Sequence, residues 1–537
     1  MIDTQVLIVG AGPVGLTLAL DLGQRGVRCA LIERNETSIQ LPKMERCNAR
    51  TMEIYRRLGI AEKIRDAGLP RSAPMDVFLA TSMAGPPLVR LPYPSVAEAK
   101  AEIAAHNDGR PLEPYQLISQ YTLEPLLRSI VEAQPTVTVR FGCELSSFTQ
   151  DAGSVSARVG TKGSEETIRA AYLVGCDGGS STVRKQLGIR LQGEGNIREL
   201  RQALFHCPDL YQRIPMGKGR HYHIAEGPLF PFIILQDSTR HWTLHAAAAS
   251  DGEMAVIFKR ALDLPIGFEM LSVNEWTQHL LCAERYGGGR VFVAGDAAHL
   301  VIPTGGLGMN TGVGDAIDLS WKLAATLAGW GGPQLLAAYE RERRPIGLRN
   351  VKASGAAMSG RLSWRAAWHP DIRRNTPEGA AIRAEMASRF DLEQRKVTEI
   401  LGIEAGYRYA GSPLIWPEAG DGPDPDNPHY VPTTWPGARL PHVWLNDGTA
   451  LHDRLGPGYT LLRLGGSQAD VSNLERAWRA VGAPLDVLDI PDRQVREVAD
   501  VDLLLVRPDL HVAWRGNQLS DEAGTIAAVA TGHSDGR

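Results

Sequence analysis

Residues 5–10 read QVLIVG, a short apolar run rich in β-branched side chains, which predicts a strand buried on both faces. Residues 12–25 follow as a helix and residues 27–33 (VRCALIE) as a second strand. The result is a β-α-β unit whose crossover should be right-handed. Further on, the pattern predicts a helix over 123–133, an alternating strand over 136–141 and an apolar strand over 171–175 that runs into Asp177-Gly178. Between about 192 and 278 the texture changes to short alternating segments, such as 232–235 and 241–245, the signature of antiparallel strands. Buried-strand character returns at 290–294 (RVFVA), followed by a glycine-rich turn and a helix over about 312–327.

Nucleotide-type elements therefore lie on both sides of a β-rich insertion, and the first domain is expected to be discontinuous. The boundaries read as 1–75, 100–190 and 281–360 for a dinucleotide-binding α/β domain, and 76–99 with 191–280 for the β domain. A helical connector spans 361–415. A Pro/Gly/Asp-rich linker at 416–436 precedes a last unit, 437–537, that mixes strands (460–464, 502–506) with a helix (473–481).

Composition narrows the classes. A chain of 537 residues suggests two to four domains, and 43% hydrophobic with 22% charged residues is an ordinary globular balance. A net charge of −4 without basic runs argues against a nucleic-acid partner or an anionic membrane surface. Cysteines 29, 47, 143, 176, 207 and 282 are scattered, with no Cys-x-x-Cys pair, so neither a disulfide framework nor a metal site is expected. A cytoplasmic location is the expectation: the start of the chain lacks a signal peptide, and no apolar stretch approaches the roughly 20 residues needed to span a bilayer.

Three motifs carry chemistry. Gly10-Ala11-Gly12-Pro13-Val14-Gly15 fits Gly-x-Gly-x-x-Gly between a strand and a helix. Its glycines permit a tight turn, close approach to a pyrophosphate and close helix–strand packing, and the helix N-terminus favours the anion. Glu33, with Arg34 beside it, ends the second strand where a carboxylate can accept hydrogen bonds from a ribose. The second motif runs from Tyr172 through Asp177, Gly178 and Gly179 to Arg184. The third is Gly295-Asp296-Ala297-Ala298-His299, continuing through Pro303 and Gly305-Gly306-Leu307-Gly308-Met309-Asn310 to Gly312.

In this order and spacing the three motifs resemble the class A flavoprotein aromatic hydroxylases, built like para-hydroxybenzoate hydroxylase, over at least residues 5–344. The segments PGARLPHVWL at 436–445, VRPD at 506–509 and AWR at 513–515 resemble the thioredoxin-like tail of the phenol and polyketide hydroxylase subgroup. The fold implied is α/β: a Rossmann-like FAD domain of glutathione-reductase type, an inserted antiparallel β substrate domain, and a thioredoxin-like end. No cysteine lies after Cys282, so that end cannot perform thiol–disulfide chemistry and is read as a packing or homodimerisation unit.

The resemblance implies an FAD-dependent monooxygenase. NADPH or NADH, bound transiently, reduces non-covalent FAD. The reduced flavin takes up dioxygen as a C4a-hydroperoxide and hydroxylates a small aromatic, phenolic substrate. Carried over, Gly10, Gly12, Pro13, Val14, Gly15, Glu33 and Arg34 hold the ADP half of FAD. Asp177, Gly178 and Arg184 belong to a segment shared by FAD and NAD(P)H. Asp296 accepts from the ribityl chain, Gln120 contacts the flavin, and Gly306, Leu307, Gly308, Met309 and Asn310 lie along the ring. Lys43 falls near a flavin-contacting arginine of the family, with Arg46 and Arg50 as competitors. Pro303 matches a proline whose carbonyl faces substrate.

A phenol of pKa about 10 needs a base or positive neighbour near neutral pH. Tyr222 and His223 are the candidates, with His245 and Trp242 of the same standing; strand alternation is read as keeping His221 and His223 from both facing the pocket. A single-ring phenol or phenolic acid is the favoured substrate, with a polycyclic or polyketide ring system as the alternative. Epoxidase, halogenase or reductase chemistry on the same fold, and a flavin protein that only sequesters a ligand, are the competing functions.

Overall fold

The computed structural model describes residues 3–39, 41–227, 230–519 and 522–534. The chain opens with β1 (Thr4–Val9), α1 (Pro13–Gln24) and β2 (Cys29–Glu33). Strand β3 (Val77–Ala80) then leaves for a second sheet, and α2 (Gln120–Glu132), β4 (Val137–Phe141) and β5 (Ser164–Gly175) return to the first. The β-rich stretch supplies β6 (Glu199–His206), β7 (His221–Ile224), β8 (Phe232–Leu235), β9 (His241–Ala246), α3 (Asp251–Leu262) and β10 (Glu269–Thr277). There follow β11 (Val291–Val293), α4 (Gly308–Leu327), α5 (Pro333–Arg365) and α6 (Pro377–Thr398). The last unit holds β12 (Tyr459–Leu464), α7 (Ser472–Val481), β13 (Leu485–Ile490), β14 (Leu503–Val506) and β15 (Val512–Gly516).

In the first sheet β4, β2, β1, β5 and β11 lie side by side and parallel. Parallel strands covered on both faces read as unbroken apolar runs, and Val6, Leu7 and Ile8 have no solvent exposure. Helix α1 starts with Pro13 at its first turn and is buried along most of its length between this sheet and α4. Its one acid, Asp21, is satisfied by the Ser320 hydroxyl and by Arg25 Nε at 3.1 Å.

Helix α4 begins at Gly308, four residues before the start predicted from sequence. Its early glycines look like helix breakers, but they mark a close crossing: a Cβ on Gly312 would stand 2.5 Å from Val14 Cγ2 and 2.9 Å from Gly295 Cα. The requirement is packing between two motifs far apart in sequence.

The second sheet runs β10–β6–β9–β8–β7–β3 and ends on Val89–Leu91. The pairs from β10 to β7 are antiparallel and β7–β3 is parallel. One face, carrying Phe205, Tyr222, Ile233, Leu235, Trp242 and Leu244, is buried with Met254, Ile257 and Phe258 of α3. Burying each such apolar side chain stabilises by about 1.5–3 kcal/mol. The opposite face belongs to the site.

Residues 416–436 contain no helix or strand. The last sheet is mixed, in the order β13–β12–β14–β15, with β12 and β13 parallel and the other pairs antiparallel. This unit is anchored to the first through charge buried out of solvent. Arg507 donates to Glu342 of α5 at 2.6 and 2.9 Å and to Asp509 at 2.7 and 3.1 Å, and it lies 3.2 Å from Asp318 of α4. Lys322 bonds Asp318 at 2.6 Å and also Glu342, and Ser412 donates to Glu342. No helix among the described residues is long and apolar enough to cross a membrane.

Candidate functional site

A cavity of about 1020 Å³ lies between the two sheets, and three groups of residues line it. The first comes from the strand ends of the parallel sheet. Gly10 has φ +105°, and a Cβ there would stand 2.4 Å from the Cys176 carbonyl oxygen; a Cβ on Gly15 would stand 2.0 Å from the Gly10 carbonyl oxygen. Both are glycine because backbone presses on backbone. Gly12 differs: its Cβ would meet nothing of the protein nearer than Glu124 Oε1 at 3.9 Å, so the space before the N-terminus of α1 is open. Glu33 accepts from the Ala11 amide at 2.9 Å and from Asn35 at 2.7 and 2.9 Å. Asp177 Oδ2 accepts from the Thr182 and Val183 amides at 2.7 and 3.1 Å, while its enclosed Oδ1 has no partner among the described residues. Asp296 lines the cavity, where the surrounding protein raises its carboxyl pKa.

The second group is a glycine turn held by distant side chains. Gly306 has φ +64°, and Arg46 packs against it; the guanidinium donates to the Gly305 carbonyl at 2.7 Å and to Glu404 at 2.8 Å. Asn310 accepts from the Asn48 amide at 2.9 Å and donates to the Gly306 carbonyl at 2.6 Å. A flat, backbone-faced wall results, ending at the first turn of α4, where free amides favour negative charge.

The third group is the open face of the antiparallel sheet. The register places His223, Phe232, His245, Gln202 and Asn274 in one row across five strands. Phe232, His245, Gln202 and Asn274 line the cavity, with Thr243, Trp276 and His221 beside them. His221 Nε2 pairs with the Glu45 carboxylate at 2.8 and 3.0 Å.

Of the residues singled out from sequence, Gly10, Gly12, Pro13, Val14, Glu33, Arg34, Lys43, Arg46, Gln120, Asp177, Gly178, Asp296, Pro303, Gly306, Gly308, Met309 and Asn310 line this cavity. Others do not. Gly15 is consumed by packing. Arg184 spends its guanidinium on the Ala297 and Gly179 carbonyls at 3.2 and 3.0 Å. Leu307 turns into a small apolar cluster with Ile400 and Ile403. Arg50 donates to the Asp509 carbonyl at 2.8 Å, away from the cavity.

Strand 221–224 does not separate its two histidines, contrary to expectation. Residues two apart share a face, so His221 and His223 point the same way and Tyr222 the other. Tyr222 is buried against Phe78, its hydroxyl accepting from the Gly219 amide and donating to the Gly217 carbonyl. Trp242 lies on that same buried face. His223 is on the cavity side but walled in by Phe232, Trp364 and Phe390, with both ring nitrogens unpartnered among the described residues. Sequence reasoning missed Glu45, Gln202, Thr243 and Arg361 as cavity residues. Gln202 and Thr243 were recoverable from alternation; the other two come from other segments and carry no local signal.

Burial depresses all three site histidines, His221 and His245 to about 4 and His223 well below 6.5. Each ring is neutral when folded and takes up a proton near pH 6.5 when unfolded, so their contribution is lost as pH falls from 6.5 toward 4. For His221 the difference reaches up to about 2 kcal/mol at pH 5. The urea midpoint should therefore fall between pH 7 and pH 5. A midpoint constant over that range would mean that the rings are protonated in the folded protein.

Residues 3–354 match the FAD binding domain family, and residues 433–532 match the aromatic-ring hydroxylase C-terminal family. The chain belongs to the FAD-dependent aromatic-ring hydroxylases. This hydroxylase is 35% identical to the FAD-dependent monooxygenase apdD of Emericella nidulans, over 98% of this chain and 90% of that protein. It superimposes on RebC, soaked with chromopyrrolic acid and holding 7-carboxy-K252c, with a TM-score of 0.90 and 33% identity over 99% and 100% of the two chains. For aklavinone-11 hydroxylase with FAD and aklavinone the TM-score is 0.84, with 28% identity over 99% and 98%. The hydroxylase is thus an FAD-dependent, NAD(P)H-consuming aromatic-ring monooxygenase. Its cavity fits FAD: open space before α1, an orphaned carboxylate oxygen at Asp177 and a flat glycine wall are the features a dinucleotide with a planar ring would use.

Proposed function

We propose that this hydroxylase acts on a multi-ring phenolic substrate laid on the floor formed by β10, β6, β9, β8 and β7. The width of that floor carries the reading. Side chains line the cavity from Trp276 and Asn274 on β10 to His221 on β7, across four inter-strand gaps. At about 4.8 Å per gap the floor is about 19 Å across, far wider than one benzene ring.

On this reading FAD occupies the other two groups. Gly10, Gly12, Pro13 and Val14 with the N-terminus of α1 take the diphosphate, and Glu33 and Arg34 border the adenosine ribose. Asp177, Gly178, Asp296, Gln120 and Lys43 flank the chain toward the ring, and Arg46 braces the turn of Gly306, Gly308, Met309 and Asn310 against it. When bound, FAD passes two electrons from NAD(P)H to dioxygen and delivers one oxygen atom. Substrate, dioxygen, NAD(P)H and a proton give hydroxylated product, NAD(P)+ and water. The chain supplies position, exclusion of water and a proton acceptor.

That acceptor is His245. It lines the cavity, makes no hydrogen bond among the described residues and is uncharged at physiological pH, so its ring can accept the phenol hydrogen bond. Because burial also lowers its basicity, the cationic Arg220 and Arg361 on the same cavity wall must favour the phenolate. Gln in its place should lower kcat by about 100-fold at pH 7 with flavin content unchanged. Activity should recover toward pH 10, where a phenol of pKa about 10 ionises unaided. A loss independent of pH would remove His245 from this role. The multi-ring reading is tested by NADH and NADPH oxidation with phenol, naphthols and larger fused phenols, measuring product mass and peroxide together. Fused phenols should stimulate oxidation with gain of one oxygen atom; equally coupled turnover of phenol itself would sink the reading.

A further inference from the structure

Arg361 and Arg365 stand one turn apart on α5, and both line the cavity. The Arg361 guanidinium lies 4.9 Å from the centre of the Phe232 ring; that of Arg365 lies 5.1 Å from Phe230 and 5.4 Å from Trp364. Stacking engages the faces of a guanidinium and leaves its N–H edge in need of acceptors. Arg361 has none among the described residues, and its enclosed Nε is unpartnered. Among the described residues Arg365 has one long contact, 3.5 Å to the Phe230 carbonyl, and its enclosed Nε is likewise unpartnered.

The neighbouring charges compensate only in part: the Glu45 carboxylate favours the Arg361 cation against its burial, and nothing does so for Arg365. Arg198 and Arg220 also line the cavity, and Arg220, only 2% exposed, leaves Nε and Nη1 unpartnered. Of the carboxylates on this side, Glu45 is committed to His221 and Glu275 to Arg201; neither forms an ion pair with Arg361 or Arg365. Like charges four apart on a helix repel, an enclosed donor without an acceptor is costly, and arginine does not relieve the cost by losing its proton. Burial and the positive charges of Arg361 and Arg198 all disfavour the cation at Arg365.

We propose that Arg361 and Arg365 form a carboxylate-binding subsite at the substrate end of the cavity, so that the substrate is a carboxylated multi-ring phenol. The proposal rests on the reading that the sheet floor holds the substrate. The planar fork of arginine matches a carboxylate in two-point geometry, and the rings of Phe230, Phe232 and Trp364 suit the aryl part of such an acid. Phe232 pairs with His245 across neighbouring strands, which sets the acid end one strand from the proton acceptor.

The test is equilibrium binding to the FAD-loaded protein, read from flavin absorbance without turnover, using 3-hydroxy-2-naphthoate and the matching carboxamide. The carboxylate should bind at least about tenfold tighter, a difference of about 1.4 kcal/mol. In the double variant R361Q/R365Q the two compounds should bind alike, with the KM for NADPH and for NADH unchanged. Equal binding by the native protein, or a preference that survives in the double variant, overturns the subsite. A raised KM for NADPH with the preference intact also overturns it, and assigns the arginines to the dinucleotide phosphates. If the double variant fails to retain FAD, Arg361→Gln and Arg361→Lys are compared alone: the preference should fall with glutamine and persist in part with lysine, and equal preferences overturn the proposal. Failure of both compounds to bind native protein would instead strike the multi-ring reading.

Discussion

Replacing Gly12 by valine should leave the protein folded and nearly free of flavin. Gly12 has ordinary extended backbone angles, φ −72° and ψ 177°, which valine adopts without strain. Its added atoms would enter open space, since the nearest protein atom to a Cβ is 3.9 Å away. Nothing in the fold explains the absence of a side chain there; a ligand lying against the backbone does. Filling that space should weaken FAD by at least about 100-fold, or about 2.7 kcal/mol, while the denaturation midpoint of the flavin-free protein stays within error. Flavin absorbance per chain after gel filtration checks the first part, and urea unfolding of the stripped protein the second. Full flavin content in the variant would place the diphosphate elsewhere. Gly10→Val is the contrast: its Cβ would collide with the Cys176 carbonyl at φ +105°, so that variant should lose stability as well as flavin.

The second large effect is structural. Arg507→Leu should destabilise the holoenzyme by about 3–5 kcal/mol, the usual cost of leaving buried charges uncompensated. Two cations, Lys322 and Arg507, meet three carboxylates, Asp318, Glu342 and Asp509, with no solvent to screen them. Burial holds Asp318 well above the ordinary carboxyl range, whereas Arg507 and Lys322 hold Glu342 well below it. Removing Arg507 leaves Glu342 and Asp509 facing each other with a single cation between the elements. Urea unfolding should show the loss, and limited proteolysis should find faster cleavage within residues 416–436. A change below about 1 kcal/mol would mean that water enters and solvates the cluster.

Legibility in the sequence followed the range of the interactions. The β-α-β unit could be read because β1 and β2 are buried on both faces and the glycine turn between them is local. The antiparallel sheet could be read from its alternation, although a period of two puts His221 and His223 on one face and not on opposite faces as expected. What sequence hid was long-range. Arg46 braces a turn 259 residues away, and Asn310 reaches the Asn48 amide across 262. Neither segment shows a pattern that announces the other. Arg184 sits in a familial motif yet serves the backbone, because a motif records that a residue matters and leaves open which atoms it meets. The start of α4 was hidden by glycines that resemble breakers until the crossing with Val14 supplies their reason.

The two faces of the antiparallel sheet carry separate obligations. Tyr222, Trp242 and Leu244 bind the sheet to α3, while Gln202, Thr243 and His245, interleaved with that core along the same short strands, face the cavity. A lineage can therefore rewrite its substrate by single-residue steps on alternate positions that leave the interior packing as it was, with His245 freer to change than Gln202, which donates to the Pro42 carbonyl beside Lys43, or Thr243, which reaches Ser119 through Gln236. Divergence of activity in such a protein should accumulate at every second residue of these strands, with the intervening positions nearly silent.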